Sequence, residues 1–211
     1  MRTAILYFDF ISPFAYICLH RLHELRVDLA IEYRPVLLAG VLNHWGQKGP
    51  AELPSKRRYT YRWSHWWAHS LGLPFKYPAA HPFNPLHHLR LAIACGSTAE
   101  AIRAIFDEIW TTGADASSAE RFAALSKRLG AGEVDQAAKD KLRKNTDDAV
   151  QCGVFGVPTF EVDGELFWGA DSMKFLNDFL NNPSVIRNPI ESAPQKSSPS
   201  TSKVGTPNTP R

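Results

Sequence analysis

The sequence predicts an α/β fold in which two β-containing segments flank a long helical stretch. An apolar run from Ile5 to Phe8 is typical of a buried strand, and Ile31 to Val36 is typical of a second one. Near the other end, Asp163-Gly164 is a hairpin-turn signal between the strand patterns Thr159–Val162 and Glu165–Trp168. The predicted organisation is a discontinuous α/β domain of residues 1–38 and 153–182, an inserted helical domain of residues 39–152, and a disordered tail of residues 183–211.

The first strand ends at a Ser-Pro pair that begins a helix. Pro13 has no backbone N–H and a preset φ, so it suits the first helical position, and it restricts Ser12 to extended or cap geometry. Leu19, Leu22 and Leu25 follow at helical spacing. Ser12 therefore lies at a helix N-terminus, where a thiolate, a phosphate or an oxyanion is stabilised. On this stretch alone, an ordinary N-cap role for Ser12, contributing about 1 kcal/mol, is the better explanation.

The segment Gly153–Phe160 carries the second signal. Pro158 stands in a strand-like run, which fits an edge, the first residue of a strand, or a cis turn. After the predicted hairpin, Asp171-Ser172 precedes a final amphipathic helix. Together with Ser12-Pro13, this order of segments carries more information than either stretch does separately.

These segments resemble a thioredoxin-type fold in which Ser12-Pro13-Phe14-Ala15 occupies the place of the redox Cys-x-x-Cys pair. The long helical insertion is similar to that of the DsbA superfamily of bacterial periplasmic disulfide oxidoreductases. The Ser-Pro-Phe start, Arg34–Leu38 and Gly169–Ser172 resemble the 2-hydroxychromene-2-carboxylate isomerase family, whose close relatives are the kappa-class glutathione transferases. The resemblance runs from about Ala4 to Leu180.

The resemblance implies glutathione as the cofactor. It implies a cis Pro158, with the Val157 backbone pairing with the cysteinyl unit of glutathione as an added strand. Asp171 would take the γ-Glu ammonium, and the Ser172 N–H and hydroxyl its carboxylate. The implied cofactor-binding residues are Ser12, Pro13, Phe14, Gln47, Lys56, Val157, Pro158, Asp171 and Ser172, of which Gln47 and Lys56 match the kappa-class positions that hold the glycyl end.

Ser12 is the implied catalytic residue. Its hydroxyl would donate to the glutathione sulfur and lower the pKa of the thiol. The family interconverts 2-hydroxychromene-2-carboxylate and trans-o-hydroxybenzylidenepyruvate, so a thiolate that adds reversibly to the conjugated double bond accounts for the reaction. Phe14, Trp45 and the aromatic helix near Trp63 could form a flat apolar wall for the substrate. Asn84 matches a residue that borders the family's substrate pocket, although an N-cap role explains it at least as well.

Two other functions remain open. A kappa-like glutathione transferase would share the site but release a conjugate, and a non-enzymatic carrier would bind glutathione or an aromatic ligand without turnover. A disulfide oxidoreductase is disfavoured because Ser12 and Ala15 leave no sulfur to cycle. The three cysteines, at positions 18, 95 and 152, form no Cys-x-x-Cys pair and no zinc spacing, which is typical of ordinary thiols in a reducing compartment.

Composition limits the possible partners. A net charge of +3 implies no dominant electrostatic partner. The basic and aromatic stretch Lys56–Trp63 predicts a helix with a solvated basic face rather than a nucleic-acid patch, and His65 and His69 lack a third metal ligand. No apolar run has membrane-spanning length, and there is no signal-peptide pattern. We therefore expect a cytoplasmic protein that binds no metal, no nucleic acid and no membrane. The resemblance further implies a small aromatic carboxylate as substrate and a homodimer.

Overall fold

The computed structural model describes residues 2–26, 28–131 and 134–186. Within them lie four strands and eight α-helices, which alternate as a β-α-β segment, a helical segment and a β-β-α segment. In chain order they are β1 (Arg2–Phe8), α1 (Pro13–Arg21), β2 (Leu29–Pro35), α2 (Leu38–His44), α3 (Pro54–Ser70), α4 (Leu86–Ala94), α5 (Ala99–Trp110), α6 (Ala119–Arg128), α7 (Gln136–Gln151), β3 (Thr159–Val162), β4 (Glu165–Trp168) and α8 (Met173–Asn181).

The four strands form one mixed sheet in the order β2-β1-β3-β4. β1 is parallel to β2 and antiparallel to β3, and β3 is antiparallel to β4. Tyr7 of β1 lies opposite Thr159 of β3, which lies opposite Trp168 of β4. The carboxyl ends of β1 and β4 and the amino end of β3 therefore meet at one end of the sheet. That end receives the loop leading to Ser12, the loop ending at Pro158, and the loop entering α8.

Both faces of the sheet are covered by helices. Successive side chains of β1 point to opposite faces, so this strand contributes to the packing on each side. Phe8 packs 5.8 Å from Phe106 of α5, between ring centroids, and Phe10 packs 4.6 Å from the same ring. On the other face, Tyr7 lies in a buried cluster with Ala149 of α7. The result is a thioredoxin-like α/β layer with a helical insertion, as the sequence predicts.

The helical segment differs from its sequence-based prediction in extent rather than in type. Residues 42–50 are rich in glycine and polar residues, which predicts a loop, but α2 continues to His44, and the loop begins only after it. Residues 75–83 are rich in proline, which predicts irregular structure, and they contain no helix or strand. The polar stretch from residue 133 to residue 151 predicts a helix, which in the structure begins at Gln136, after the Asp135 N-cap, whose side chain accepts the Ala138 N–H at 2.9 Å. The residue at its predicted start, 133, lies outside the described residues.

The chain divides into two units, residues 1–177 and 178–211. The described part of the second unit contains the last residues of α8 and a single 3₁₀ turn, Pro183–Ile186. The rest of the predicted tail, residues 187–211, lies outside the described residues. The tail and the boundaries of the inserted domain remain predictions.

Candidate active site

Ser12 is the N-cap of α1, with φ −91° and ψ 116°. Its Oγ accepts the Ala15 N–H at 3.3 Å, and the residue is buried. Within the described chain, no acceptor takes the Ser12 hydroxyl proton. Pro13 has no N–H, so the first backbone donor of the helix belongs to Phe14, and it too has no partner among those residues. Two hydrogen-bond donors thus converge on the positive end of a helix dipole, which is suited to an anion.

Asp9 anchors the loop that leads to Ser12. One carboxylate oxygen accepts the Ile11 N–H at 3.0 Å, and the other accepts the Leu38 N–H, at the start of α2, at 2.8 Å. The Asp9 carbonyl also accepts the Ser12 N–H at 3.1 Å. Complete burial raises the pKa of the Asp9 carboxyl to about 7, although both hydrogen bonds act to lower it. Sequence reasoning did not single out this residue; its signal was an acid directly after a buried strand.

The Val157–Pro158 peptide is cis, as the resemblance implied. β3 pairing begins only at Thr159, and the Pro158 carbonyl accepts the Gly169 N–H at 2.9 Å. Among the residues that the structure describes, none hydrogen-bonds to the N–H or the carbonyl of Val157. A backbone donor and acceptor are therefore open just before the strand that lies beside β1.

Three partly exposed aromatic side chains surround the cis-proline loop, which ends at Pro158: Trp45, Phe155 and Trp168. Trp45 Nε1 donates to the Val154 carbonyl at 2.9 Å, which ties the α2–α3 loop to the cis-proline loop. The rings of Phe155 and Trp168 lie 5.3 Å apart between centroids. The sequence indicated Trp45 but not Phe155 or Trp168, because no local pattern relates the hairpin to the cis-proline loop.

Gly156 makes room for the indole of Trp168. A Cβ at Gly156 would lie 2.7 Å from Trp168 Nε1, which is closer than real Cβ contacts come. The Trp168 ring therefore covers the backbone immediately before Val157, while 54% of its surface remains exposed.

Asp171 and Ser172 precede α8, as predicted. Gly169 has φ +100°, and the Asp171 carboxylate occupies the space that a Cβ there would need. The Ser172 N–H donates to the Gly169 carbonyl at 3.2 Å, and its hydroxyl donates to the Trp168 carbonyl at 2.5 Å. Both donors expected to hold a carboxylate thus already serve the turn. The hydroxyl oxygen can still accept, and Met173 supplies the first N–H of the helix itself.

A second aromatic cluster lies beside Ser12 and consists of Phe14, Trp63 and Trp67, the Phe14 cluster. Trp63 and Trp67 are one turn apart on α3 and stack at 5.8 Å with an interplanar angle of 6°. Phe14 lies 5.0 Å from Trp63 and 6.3 Å from Trp67. The guanidinium of Arg21 covers Trp67 at 5.1 Å and donates to the Ala170 carbonyl at 2.7 Å. Phe14 and the aromatic helix near Trp63 thus lie together, and their role as a wall for the substrate stays a prediction.

The remaining candidates are exposed. Gln47 lies in the α2–α3 loop and Lys56 in the first turn of α3, and neither side chain has a hydrogen bond or ion pair to another described residue. Asn84 Oδ1 accepts the N–H of Leu86, the first residue of α4, at 3.0 Å, although the N-cap position itself is Pro85, and the Asn84 amide nitrogen has no partner among the described residues.

Neither a metal cluster nor a membrane span is found in residues 2–26, 28–131 and 134–186. No three His, Cys, Asp or Glu side chains there come together in a group that could hold a metal ion. The helices within these ranges are too short or too polar to cross a bilayer. Cys18, Cys95 and Cys152 are free thiols, and burial raises the pKa of the first two.

Comparisons with known proteins agree with this geometry. Residues 3–181 match the family model of the DsbA-like thioredoxin domain. A 2-hydroxychromene-2-carboxylate isomerase of Sphingobium xenophagum is 30% identical over 192 residues, covering 85% of this chain and 98% of that protein. Glutathione S-transferase kappa 2 of Caenorhabditis elegans is 25% identical, with 84% of this chain and 91% of that protein covered.

A solved structure extends the comparison. The crystal structure of a selenomethionine-labelled 2-hydroxychromene-2-carboxylate isomerase superimposes with a TM-score of 0.73 and 26% identity, covering 85% of this chain and 94% of that one. The matches in sequence and in structure extend over the β-α-β segment, the helical insertion and the cis-proline segment together. The chain therefore belongs to the DsbA-like thioredoxin-domain family and, within it, to the 2-hydroxychromene-2-carboxylate isomerase family.

Proposed function

We propose that this protein is a glutathione-dependent isomerase that interconverts 2-hydroxychromene-2-carboxylate and trans-o-hydroxybenzylidenepyruvate or a related aromatic catabolite. The observation that carries the proposal is the pair of unused donors at the start of α1, the Ser12 hydroxyl and the Phe14 N–H. They stand at the same end of the sheet as the open backbone of Val157. Both features suit a thiol-containing peptide laid across that end of the sheet.

The residues around the cis-proline loop fit glutathione. The Val157 N–H and carbonyl would pair with its cysteinyl unit, and the Asp171 carboxylate would hold the γ-Glu ammonium. The γ-Glu carboxylate would lie at the N-terminus of α8, where the Met173 N–H can donate to it because the Ser172 donors are engaged in the turn. Gln47 and Lys56 are free to reach the glycyl end.

Ser12 would control the protonation state of the thiol. Its hydroxyl hydrogen is free to bond to a sulfur, and the α1 dipole favours the anionic form. Bound glutathione would supply a thiolate that adds reversibly to a conjugated double bond, so that rotation about the resulting single bond and elimination yield the other isomer. Ser12 itself would hold its proton throughout and act only as a donor.

The Phe14 cluster would bind the aromatic part of the substrate. Trp63 and Trp67 have nearly parallel, stacked rings beside Phe14, which is next but one to Ser12. A planar ligand packed there keeps its conjugated chain near the start of α1. Trp45 would contribute less than expected from the sequence, because its indole N–H is bonded to the Val154 carbonyl. The open amide nitrogen of Asn84 is a candidate donor to the substrate.

A kappa-like glutathione transferase is the second candidate, since it would use the same Ser12 and Val157 groups. It is supported by the 25% identity to a kappa-class relative. A carrier of glutathione or of an aromatic ligand is the third candidate. We also propose a cytoplasmic homodimer, as expected from the resemblance.

One assay separates these functions. The purified protein is mixed with 2-hydroxychromene-2-carboxylate, and isomerisation is followed by ultraviolet absorbance with glutathione, without it, and with S-methylglutathione, which has no ionisable thiol. We expect turnover only with glutathione, which is recovered unchanged. A second reaction contains glutathione and an electrophilic arene. Formation of a stable conjugate there, without isomerisation in the first reaction, would identify a transferase. Binding of glutathione without either reaction would identify a carrier.

A further inference from the structure

Two side chains of the helical segment hold the backbone that precedes Ser12. Trp110 Nε1 donates to the Phe10 carbonyl at 3.0 Å, and His81 Nε2 lies 2.8 Å from the Ile11 carbonyl. The N–H groups of the same two peptides are taken by Asp9, whose side chain accepts from Ile11 and whose carbonyl accepts from Ser12. Both polar atoms of each peptide are therefore fixed. His81 holds the peptide that contains the Ser12 nitrogen.

The contacts of His81 define its tautomer. A carbonyl oxygen can only accept, so Nε2 must carry the hydrogen that bonds to Ile11. In the neutral ring Nδ1 is then an acceptor, and the Tyr61 hydroxyl lies 2.6 Å from it and 2.8 Å from the His81 carbonyl. Arg57 Nε donates to the Tyr61 oxygen at 3.1 Å, and Arg57 Nη2 donates to the His81 carbonyl at 2.7 Å. The single hydrogen of the Tyr61 hydroxyl is shared between Nδ1 and the His81 carbonyl, so Arg57, Tyr61 and His81 form one hydrogen-bonded network that ends at the Ile11 carbonyl.

The surroundings of the ring keep His81 neutral and in place. Its centroid lies 5.2 Å from Tyr61, 5.4 Å from Tyr77 and 5.6 Å from Trp110. Burial and the Arg57 charge both lower the pKa of His81, and these two outweigh the opposing effect of the hydrogen bond to Ile11. A neutral Nε2–H donor is therefore present at neutral pH.

We propose that His81 is a positioning residue for Ser12, which it orients through the Ile11 carbonyl, and that Tyr61 and Arg57 set the orientation of its ring. The proposal rests on the proposed function, because it assigns to Ser12 the role of donor to a bound thiol. The argument is geometric. Rotation of the Ile11–Ser12 peptide would turn the Ser12 side chain away from the start of α1, and the Nε2–H bond opposes that rotation.

Three variants and one control test the proposal. His81→Leu removes the donor, His81→Gln places an amide N–H near the position of Nε2, and Tyr61→Phe removes the hydroxyl that orients the ring. His69→Leu is the control, since His69 is an exposed histidine on the same helix as Tyr61. For each variant we measure glutathione affinity, turnover, and the pH titration of the bound thiol by its thiolate absorbance.

We expect His81→Leu to bind glutathione within about twofold of the wild type but to turn over about tenfold more slowly, with the bound thiol titrating about one pH unit higher. His81→Gln should recover most of the loss, Tyr61→Phe should fall between the two, and His69→Leu should match the wild type. Equal defects in the Leu and Gln variants of His81 would overturn the proposal, because a merely structural role does not depend on the donor. An unchanged thiol titration in every variant would also overturn it.

A readout that needs no substrate keeps this proposal separate from the proposed function. If the wild type binds glutathione without isomerising anything, the proposed function fails, and the thiol titration still decides the role of His81. If glutathione does not bind, or if His81→Leu does not fold, the amide nitrogen shift of Ser12 in Tyr61→Phe and His81→Gln decides it. A displaced Ser12 resonance in Tyr61→Phe and a near-native one in His81→Gln support positioning. An unmoved resonance in Tyr61→Phe contradicts it.

Discussion

Raising the pH should remove a stabilising contribution that one buried carboxyl group, that of Asp9, makes to the folded state. The side chain is fully buried, and burial raises its pKa from 3.8 to about 7, against the opposing effect of hydrogen bonds from Leu38 and Ile11. The folded protein therefore binds the proton more tightly than the unfolded chain. Between about pH 4 and pH 7 the folded state holds more of the Asp9 proton than the unfolded chain does, so the contribution of Asp9 to the free energy of unfolding falls as the pH rises through that window.

The magnitude follows from the shift in pKa. A difference of about three units, at 1.36 kcal/mol for each unit, corresponds to about 4 kcal/mol between acidic and alkaline limits. This contribution is fully present below about pH 4 and is lost as the pH rises through about 7. About 2.5 kcal/mol of it falls between pH 5 and pH 8, a range in which unfolding is easily measured.

Urea unfolding of the wild type and of Asp9→Asn at several pH values between 5 and 8, followed by tryptophan fluorescence, measures this contribution. The histidines and other groups titrate in both proteins, so the difference between the two free energies of unfolding isolates Asp9. We expect the free energy of unfolding of the wild type, relative to that of the variant, to fall steadily as the pH rises. Parallel curves, or a wild type that gains on the variant with rising pH, would refute the reasoning.

Three further predictions follow from particular contacts. Gly156→Ala should displace the Trp168 indole, shift the tryptophan fluorescence and weaken glutathione binding several-fold with the circular dichroism unchanged; unaltered fluorescence would contradict the close approach. Trp45→Phe keeps an aromatic ring but loses the bond to the Val154 carbonyl, so unfolding by urea should show a loss of about 1 kcal/mol, and no loss would mean that the bond does not stabilise the loop. Removal of Pro183–Arg211 should leave the fold and glutathione binding intact, and a large drop in melting temperature on truncation would be the opposite result.

Local signals predicted much of this fold. The Ser-Pro pair placed the start of α1, and the Gly-Val-Pro segment with its hairpin signal placed β3 and β4, because turn and cap chemistry acts over a few residues. The strand-helix order then carried the resemblance that brings Ser12, Val157 and Asp171 to one end of the sheet. The end of α2 was less predictable, since its last residues, Asn43 and His44, are poor helix formers.

The long-range hydrogen bonds that hold the backbone around Ser12 in place were not predictable from the sequence. Asp9 and Leu38 are 29 residues apart, His81 and Ile11 are 70 apart, and Trp110 and Phe10 are 100 apart. No periodic pattern relates such pairs, because they meet only after the helical segment has folded against the sheet. Ser172 is a local case: its hydroxyl was assigned to a ligand but donates to the Trp168 carbonyl, four residues earlier, in the turn before α8.

The most direct test of the account is the titration of the bound glutathione thiol in the wild type and in Ser12→Ala, followed by the ultraviolet absorbance of the thiolate. Glutathione affinity should be nearly unchanged, since the Val157 and Asp171 contacts remain. One charge-assisted hydrogen bond contributes roughly 1.5–3 kcal/mol, so the pKa of the bound thiol should rise by about one to two units and turnover should fall accordingly. Some activation should survive through the α1 dipole. An unchanged titration curve would contradict the assignment of Ser12 as the donor to sulfur, and unchanged turnover would leave Ser12 as an ordinary N-cap.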